Sequence, residues 1–559
     1  MPIADDRHMT LSGSDAGIRL PGGSLWPRWL FLRALGLIFL SAFYSLAFQI
    51  HGLVGERGIL PAGEYLYALR AATGVAQRIW LAPTLFWLGA GDGALWMVIA
   101  AGLLCSLLLT ANVWPRLTVA LCTLLFLSCV AVLQDFSSYQ SDGMLLEAGF
   151  LSLFFAPAGV HPGLGAENPP SRFSRFMLEW EWFRICFESG VVKLASGDPH
   201  WRNLTAMDEY YQNGPLPTWI GWYVQHLPHW YHAGTVILTL GVELFFVWAV
   251  FLPRRFRIAC FVVVTALQVG IIATANYAFL NYLVLALGVL LLDDRAIVGI
   301  VGHVTRLAPR WRTTAKSSRR GEVPLGTLCP YAGDETGGAV RRSRGSLCPR
   351  GMTGGGSSWR GTTGALARHA ENVILGFLLY ATVVAFIPLG ALAWPARVLD
   401  PFRIANAYGL FAVMTEARYE IEFQGSRDGT TWVAYPFRYK PQDVMERPGI
   451  YAPYQPRFDW NLWFASLGPW QQSQWVVLAQ QRLVEGSPSV LRLFRSDPFR
   501  GRPPALVRTV LYQYWFTDLA TKRATGAWWR REERGPFTGV VGGSPRPVTA
   551  VPPPVEVPR

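Results

Sequence analysis

Residues 184–217 read RICFESGVVKLASGDPHWRNLTAMDEYYQNGPLP, and the reading of this stretch decides the fold. It begins as an apolar helix carrying Arg184, Glu188 and Lys193, then turns at Gly197-Asp198-Pro199 into polar, aromatic sequence. Membrane-like apolar sequence bounds it on both sides, so its charges lie in or beside a bilayer and need partners there.

The composition points the same way. Of 559 residues, 51% are hydrophobic and only 16% charged, with a mean hydropathy of +0.24, which is a membrane-protein balance. The formal net charge of +13 raises nucleic acid as a partner. However, many of the arginines sit beside apolar spans and in one low-complexity insert, where topology and anionic lipid account for them. Membrane lipids are therefore expected partners and nucleic acid is not. Of the seven cysteines, Cys105, Cys122, Cys129, Cys186 and Cys260 lie in apolar stretches and Cys329 and Cys348 in the insert. No C-x-x-C occurs, so they read as buried thiols; no metal site and no cofactor are expected.

In chain order, residues 1–25 read as a disordered cytoplasmic N-terminus without a cleavable signal. The run Trp29 to Ile50 is a retained first span, with Arg28 and Arg33 marking its start as cytoplasmic. The piece IWLAPTLFWLG is too short to cross and reads as interfacial or re-entrant. Further spans are expected at roughly 94–112, 115–134, 143–158, 172–194, 232–252, 256–274 and 276–292. Basic loops at Arg116, at Arg172 and Arg175, at Arg254-Arg255-Phe256-Arg257 and after Arg295 then all fall inside. The loop 195–230 falls outside.

Residues 26–302 thus form a multi-span domain, 303–368 a low-complexity cytoplasmic linker, and 369–395 a last transmembrane helix. An exoplasmic, mixed or β-rich C-terminal domain follows at 396–540, with a Pro-rich tail at 541–559. ARYEIEFQG and TWVAYPFRYKP alternate around SRDGT, a hairpin with Asp428-Gly429 in its turn. LVRTVLYQYWFTD and GAWWRREERG read as a second strand pair, with short helices in WVVLAQQRLVEG and SPSVLRLFRSD. The fold class is a polytopic α-helical integral membrane protein of about eight or nine transmembrane helices carrying that domain.

The polar residues offer several sites. Glu181, Arg184 and Glu188 share one helix face, where they form a buried ion-pair network or act functionally. Lys193 either snorkels to the interface or, in an apolar setting, serves as a base. His226, His229 and His232 are spaced by three, but Pro228 interrupts them and interfacial imidazoles are the simpler reading. In the outward loop, Trp201, Tyr210, Tyr211, Trp219, Trp222 and Tyr223 give client contact area or a membrane belt. Asp198, Arg202, Asp208 and Glu209 supply its polar register. Asp142 and Glu147 read as helix-start carboxylates. Tyr454, Gln455, Arg457, Asp459 and Trp460 either line a partner groove or knit the tail domain to the bundle. Asn203-Leu204-Thr205 fits a glycosylation sequon on the outward side.

The segments SSYQSDGMLLEAGFLSLFFAP, SGVVKLASGDPHWRNLTAMDEYYQNGPLPT, NAYGLFAVMTEARYEIEFQGS, YAPYQPRFDWNLWFASL, DPFRGRPPALVRTVLYQYWFT and GAWWRR resemble the lipase maturation factor family, in its order. They span most of the chain; the insert departs from the pattern. The resemblance implies a multi-pass protein of the endoplasmic reticulum membrane, or of the plasma membrane in a bacterium. It further implies assistance to folding and assembly of secreted dimeric lipases or other exported clients. The expected client contacts are Trp201, Arg202, Asp208, Tyr210, Tyr211, Trp222, Arg457, Asp459 and Trp460. More locally, SGVVKLASGDPHW is similar to the membrane region of vitamin K-dependent carboxylases, where a lysine at the matching place is catalytic. That implies an alternative, a membrane-embedded enzyme using Lys193 with Glu188 or Asp198. No G-x-S-x-G, H-E-x-x-H, Walker or dinucleotide pattern supports an enzyme of another class. Client identity and oligomeric state are open.

Overall fold

The computed structural model describes residues 23–137, 139–307, 357–387 and 390–542. Helix α1 (Leu25–Val54) runs against α2 (Asp92–Thr110). Their approach is set by small residues: a Cβ on Gly36 would meet the Thr110 hydroxyl at 2.5 Å and its backbone nitrogen at 2.9 Å. Then come α3 (Pro115–Val130), α4 (Gln140–Phe155), α5 (Arg172–Ala195), α6 (His229–Leu244), α7 (Arg254–Thr274), α8 (Leu280–Gly288) and α9 (Ser357–Phe386).

Among the described residues, five helices are long and apolar enough to cross a membrane: Leu25–Val54, Asp92–Thr110, His229–Phe251, Arg254–Thr274 and Leu366–Phe386. Helices α3 and α8 are apolar but shorter. The stretch expected as a span at 143–158 is α4, 16 residues long and buried on nearly every side. It is a central strut rather than a lipid-facing helix, which explains how it carries two acidic residues. The last span ends at Phe386, short of the expected 395, two residues before Pro388. The piece expected as interfacial or re-entrant folds as short elements: a helix Val75–Leu81 with no buried residue, then a 3₁₀ turn Leu85–Leu88.

In the C-terminal part, β1 (Arg418–Ser426), β2 (Val433–Ala434), β3 (Leu506–Phe516), β4 (Trp529–Pro536) and β5 (Val541–Gly542) form one antiparallel sheet ordered β2-β1-β3-β4, with β5 on β3. The expected hairpin turn is present. Asp428 accepts from Thr430 N and Thr431 N, which hold its carboxyl below the usual range, and Gly429 adopts φ +77°. Yet β2 is only a two-residue stub, and β1 pairs along its whole length with β3, from Arg418 opposite Tyr514 to Ser426 opposite Leu506. Ile421 and Phe423 point into the core against α10 (Arg457–Ala465) and Phe494; α11 (Trp475–Val484) packs on β3.

Among the described residues, 23–297 and 373–542 make one compact unit, and 298–307 with 357–372 belong to a second. In the first, a single buried cluster runs from Phe31 in α1 to Phe537 beyond β4. The sheet domain therefore shares its core with the membrane helices. The expected disordered N-terminus and the tail from 543 lie outside the described residues, as do 308–356 of the expected linker.

Candidate functional site

The polar residues singled out in the sequence converge on the seam between helices and sheet domain. At its centre, the Arg457 guanidinium binds both Asp142 oxygens, at 2.7 and 2.8 Å, and donates to Phe136 O at 2.8 Å. Both side chains are fully buried. Asp142 thus holds a charge from a residue more than three hundred positions away instead of serving its own helix start. Beside it, Tyr139 stacks on Trp460 at 5.2 Å. Asp459 accepts from Tyr439 N and Lys440 N, each at 3.2 Å, and burial pushes its carboxyl up to about 6.

A second knot lies on α4 and α5. Arg184 pairs with Glu147 and donates to Asn406 O at 2.6 Å. The Glu147 carboxylate also accepts from Asn406 N, Asn406 Nδ2 and the Tyr408 hydroxyl at 3.1, 3.0 and 2.8 Å. Glu188 accepts from Tyr408 N at 2.7 Å. Glu181, Arg184 and Glu188 are all buried. However, Arg184 takes its direct partner from the neighbouring helix, because three carboxylates crowd one guanidinium and Glu147 faces it across the helix contact. Neither Glu181 oxygen completes a hydrogen bond of ordinary geometry.

The stretch after Pro199 is mortar. Asp198 caps the following turn through His200 N at 2.9 Å and accepts from Met414 N at 2.5 Å. Trp201 Nε1 donates to Phe411 O at 3.0 Å, and Asn213 Nδ2 to Thr415 O at 2.8 Å. Arg418 reaches back to the carbonyls of Gln212, Gly214 and Pro215 and pairs with Glu420, which also binds Lys440 at 2.7 Å. Burial lowers the Arg418 pKa against the pull of Glu420. Trp222 Nε1 donates to Trp528 O at 3.1 Å.

This placement corrects the expected contact area. Trp201, Tyr210, Tyr211, Trp222, Arg457, Asp459 and Trp460 are all buried, because the loop 195–230 is roofed by the sheet domain. Arg202 remains exposed and donates to Leu194 O, while Asp208 is partly exposed and pairs with His229 at 2.8 Å. His226, just past the end of the helix Trp219–Gln225, lies between Trp222 O and Thr517 O, whereas His229 and His232 lie on α6, so the histidines do not converge. Lys193 is buried and reaches neither Glu188 nor Asp198. It binds both oxygens of Glu243, at 3.0 and 2.8 Å, above the Trp201 ring.

Two groups went unread in the sequence. Glu243 sits in an apolar helix and had no local partner to announce it. The second is legible in retrospect: Ser41, Ser45 and Gln49, spaced by four, form a polar stripe along α1. Ser41 donates to Pro453 O, the Ser45 hydroxyl accepts from Gln455 N, and Gln49 Nε2 donates to Gln455 O, each at 2.9 Å.

Fold and seam together define a polytopic membrane protein in which a bundle of apolar helices carries a sheet domain on one shared, charge-stitched core. Residues 26–299 match the lipase maturation factor transmembrane domain and 404–539 the lipase maturation factor C-terminal domain. The chain is 33% identical to Lipase maturation factor 2 of Homo sapiens, over 91% of this chain and 82% of that protein. It is likewise 33% identical to Lipase maturation factor 2 of Gallus gallus (90% and 80%) and 30% identical to Lipase maturation factor 1 of Bos taurus (93% and 90%). No solved structure matches. The chain belongs to the lipase maturation factor family and is an integral membrane protein. These relatives are named as maturation factors, and the carboxylase-like alternative finds no support among them.

Proposed function

We propose that this protein is a membrane-bound maturation factor that assists folding and assembly of lipases or similar exported clients, and is not itself an enzyme. The observation that carries the reading is the pair of family matches, one on the membrane helices and one on the sheet domain, in an unbroken order. The seam supports it: Arg457 is paired with Asp142, Arg184 with Glu147, and Arg418 and Lys440 with Glu420, as suits a rigid holding surface rather than a reactive centre.

The sheet domain and the loop 195–230 face the exoplasmic side, and eight or nine helices cross, on the argument of the basic loops; the exposed Asn203 of the sequon accords with this. The membrane is that of the endoplasmic reticulum in a eukaryote and the plasma membrane in a bacterium. Client contact falls on the exposed rim of the seam, beside Arg202 and Asp208, where Tyr223, Leu227 and Trp230 stand out from the surface. The buried rings expected to touch a client support this rim from behind.

The test is co-expression with a secreted lipase in cells lacking any family member, scoring specific activity of the secreted lipase. The protein should raise specific activity, and Arg202→Glu with Asp208→Arg should reduce that gain at unchanged protein abundance. Equal lipase specific activity with and without the protein would remove the proposal.

A further inference from the structure

A cavity of about 470 Å³ lies between α5, α6, α7 and α8, within the size range of small-molecule sites, about 300–1,000 Å³. Trp201 and Phe411 of the seam contribute to its lining. Its walls are apolar, and its mouth lies between α6 and α7, lined by Leu238 and Val262, which are 55% and 57% exposed. Both belong to helices long and apolar enough to cross a bilayer, so the mouth opens toward lipid rather than water. Along α6 the lining runs from Tyr231 to Glu243, about 18 Å at the helical rise per residue. The shape is that of a slot for a chain entering sideways.

The deep end is polar and nearly self-satisfied. Lys193 and Glu243 neutralise each other there, and Gln268 accepts from Asn281 at 2.6 Å. A headgroup with net charge would be desolvated with no opposite charge to meet it, at a cost the cancelled pair cannot offset. Donors are nevertheless in surplus. Of the three N–H groups of the Lys193 ammonium, two serve Glu243 and the third has only Ser189 O at 3.5 Å. The hydroxyl of buried Tyr210 also lines the cavity; its neighbour is the Tyr277 hydroxyl, with which it completes no hydrogen bond of ordinary geometry.

We propose that this cavity is a lateral binding site for a neutral membrane lipid, taking one long apolar chain between α6 and α7 and an uncharged, oxygen-bearing end at Lys193 and Tyr210. The site is independent of the maturation reading: it rests on the membrane fold alone.

The test uses the full chain in phosphatidylcholine nanodiscs and a monoacylglycerol carrying a photoreactive diazirine in its chain, with labelled residues located by mass spectrometry. Label is expected on Ile185 and Val284, which are 2% and 1% exposed and can be reached only from inside the cavity. Unlabelled monoacylglycerol should compete it away, and the fatty acid of the same chain, carrying a carboxylate, should not. Ala266→Phe fills the slot from an exposed position and should abolish this label at an unchanged gel-filtration profile. Gly270→Phe, where an added Cβ meets nothing, serves if that variant fails to fold. Label confined to outward helix faces, or unchanged when the slot is filled, overturns the site. Equal competition by the fatty acid overturns the neutral-lipid assignment.

Discussion

Arg457 and Asp142 show how much one residue pair can hold. Each is an ion in a dry interior, and each is tolerable only because the other is there. Arg457→Met alone should therefore destabilise the protein by on the order of 3–5 kcal/mol, because a bare carboxylate remains. Adding Asp142→Leu should recover a large part of the loss, both being read as thermal midpoints in detergent; single and double variants of equal stability would contradict the pairing. Asp459 makes a pH prediction. Burial raises its carboxyl to about 6 in the folded protein, above the ordinary value of 3.8, so folding favours its protonated form. Its stabilising contribution is full below pH 3.8 and is lost as pH rises through about 6. Asp459→Asn can keep the same accepting oxygen for Tyr439 N and Lys440 N without the charge. The difference in melting temperature, variant minus parent, should thus grow between pH 5 and 7, and a pH-independent difference would refute it. At this scale the sequence was half legible. It marks Arg184, Glu188 and Lys193 as charges that need a reason, because ions in apolar sequence are costly, whereas Asp142 and Glu147 read as helix-start carboxylates and Arg457 as one of a polar-aromatic cluster. It could not say how these charges pair, since partners such as Arg457 and Asp142 lie far apart along the chain.

Among the elements, α1, α2 and α7 were legible because each is long and predominantly apolar. Helix α4 was not, because a helix buried in protein and one buried in lipid have the same apolar surface, and only packing separates them. The hairpin turn at Asp428-Gly429 was legible from local chemistry, whereas the pairing of β1 with β3 joins strands about eighty residues apart and leaves no local mark. The aromatic loop 198–226 reads as surface for a related reason: tryptophan and tyrosine serve equally well in a core and at an interface. The contact of α1 with α2 can be tested directly. Gly36→Leu must push the helices apart and should cost about 1–3 kcal/mol, as overpacking does elsewhere. Gly234→Leu on α6, where an added Cβ meets nothing, should leave the melting temperature unchanged. Equal effects of the two substitutions would mean that α1 and α2 do not approach as described.

At the scale of the whole molecule, the membrane helices and the sheet domain cannot be separate bodies on a tether. The sheet domain closes the roof over 198–226, inserts Arg457 beside α4 and hangs its 404–416 segment on Glu147, Glu188 and Asp198. Taken alone, it would present Arg457 without its carboxylate and the core face of α10 without α1. The covalent path between the two parts runs through 308–356, yet the contacts that join them are made by 23–297 and 373–542. Chain continuity should therefore be dispensable once the protein has folded. With a specific protease site placed within 308–356, cleavage of the purified protein should leave both fragments eluting together on gel filtration, with a melting temperature close to that of the uncut chain. Substituting Arg457→Met in the cut protein should lower that temperature further than in the intact one, because the fragments then also gain the freedom to dissociate. Fragments that part on cleavage at neutral pH and moderate salt would mean that the seam is too weak to carry the sheet domain as a fixed surface, and the rigid holding surface proposed for client maturation would fall with it.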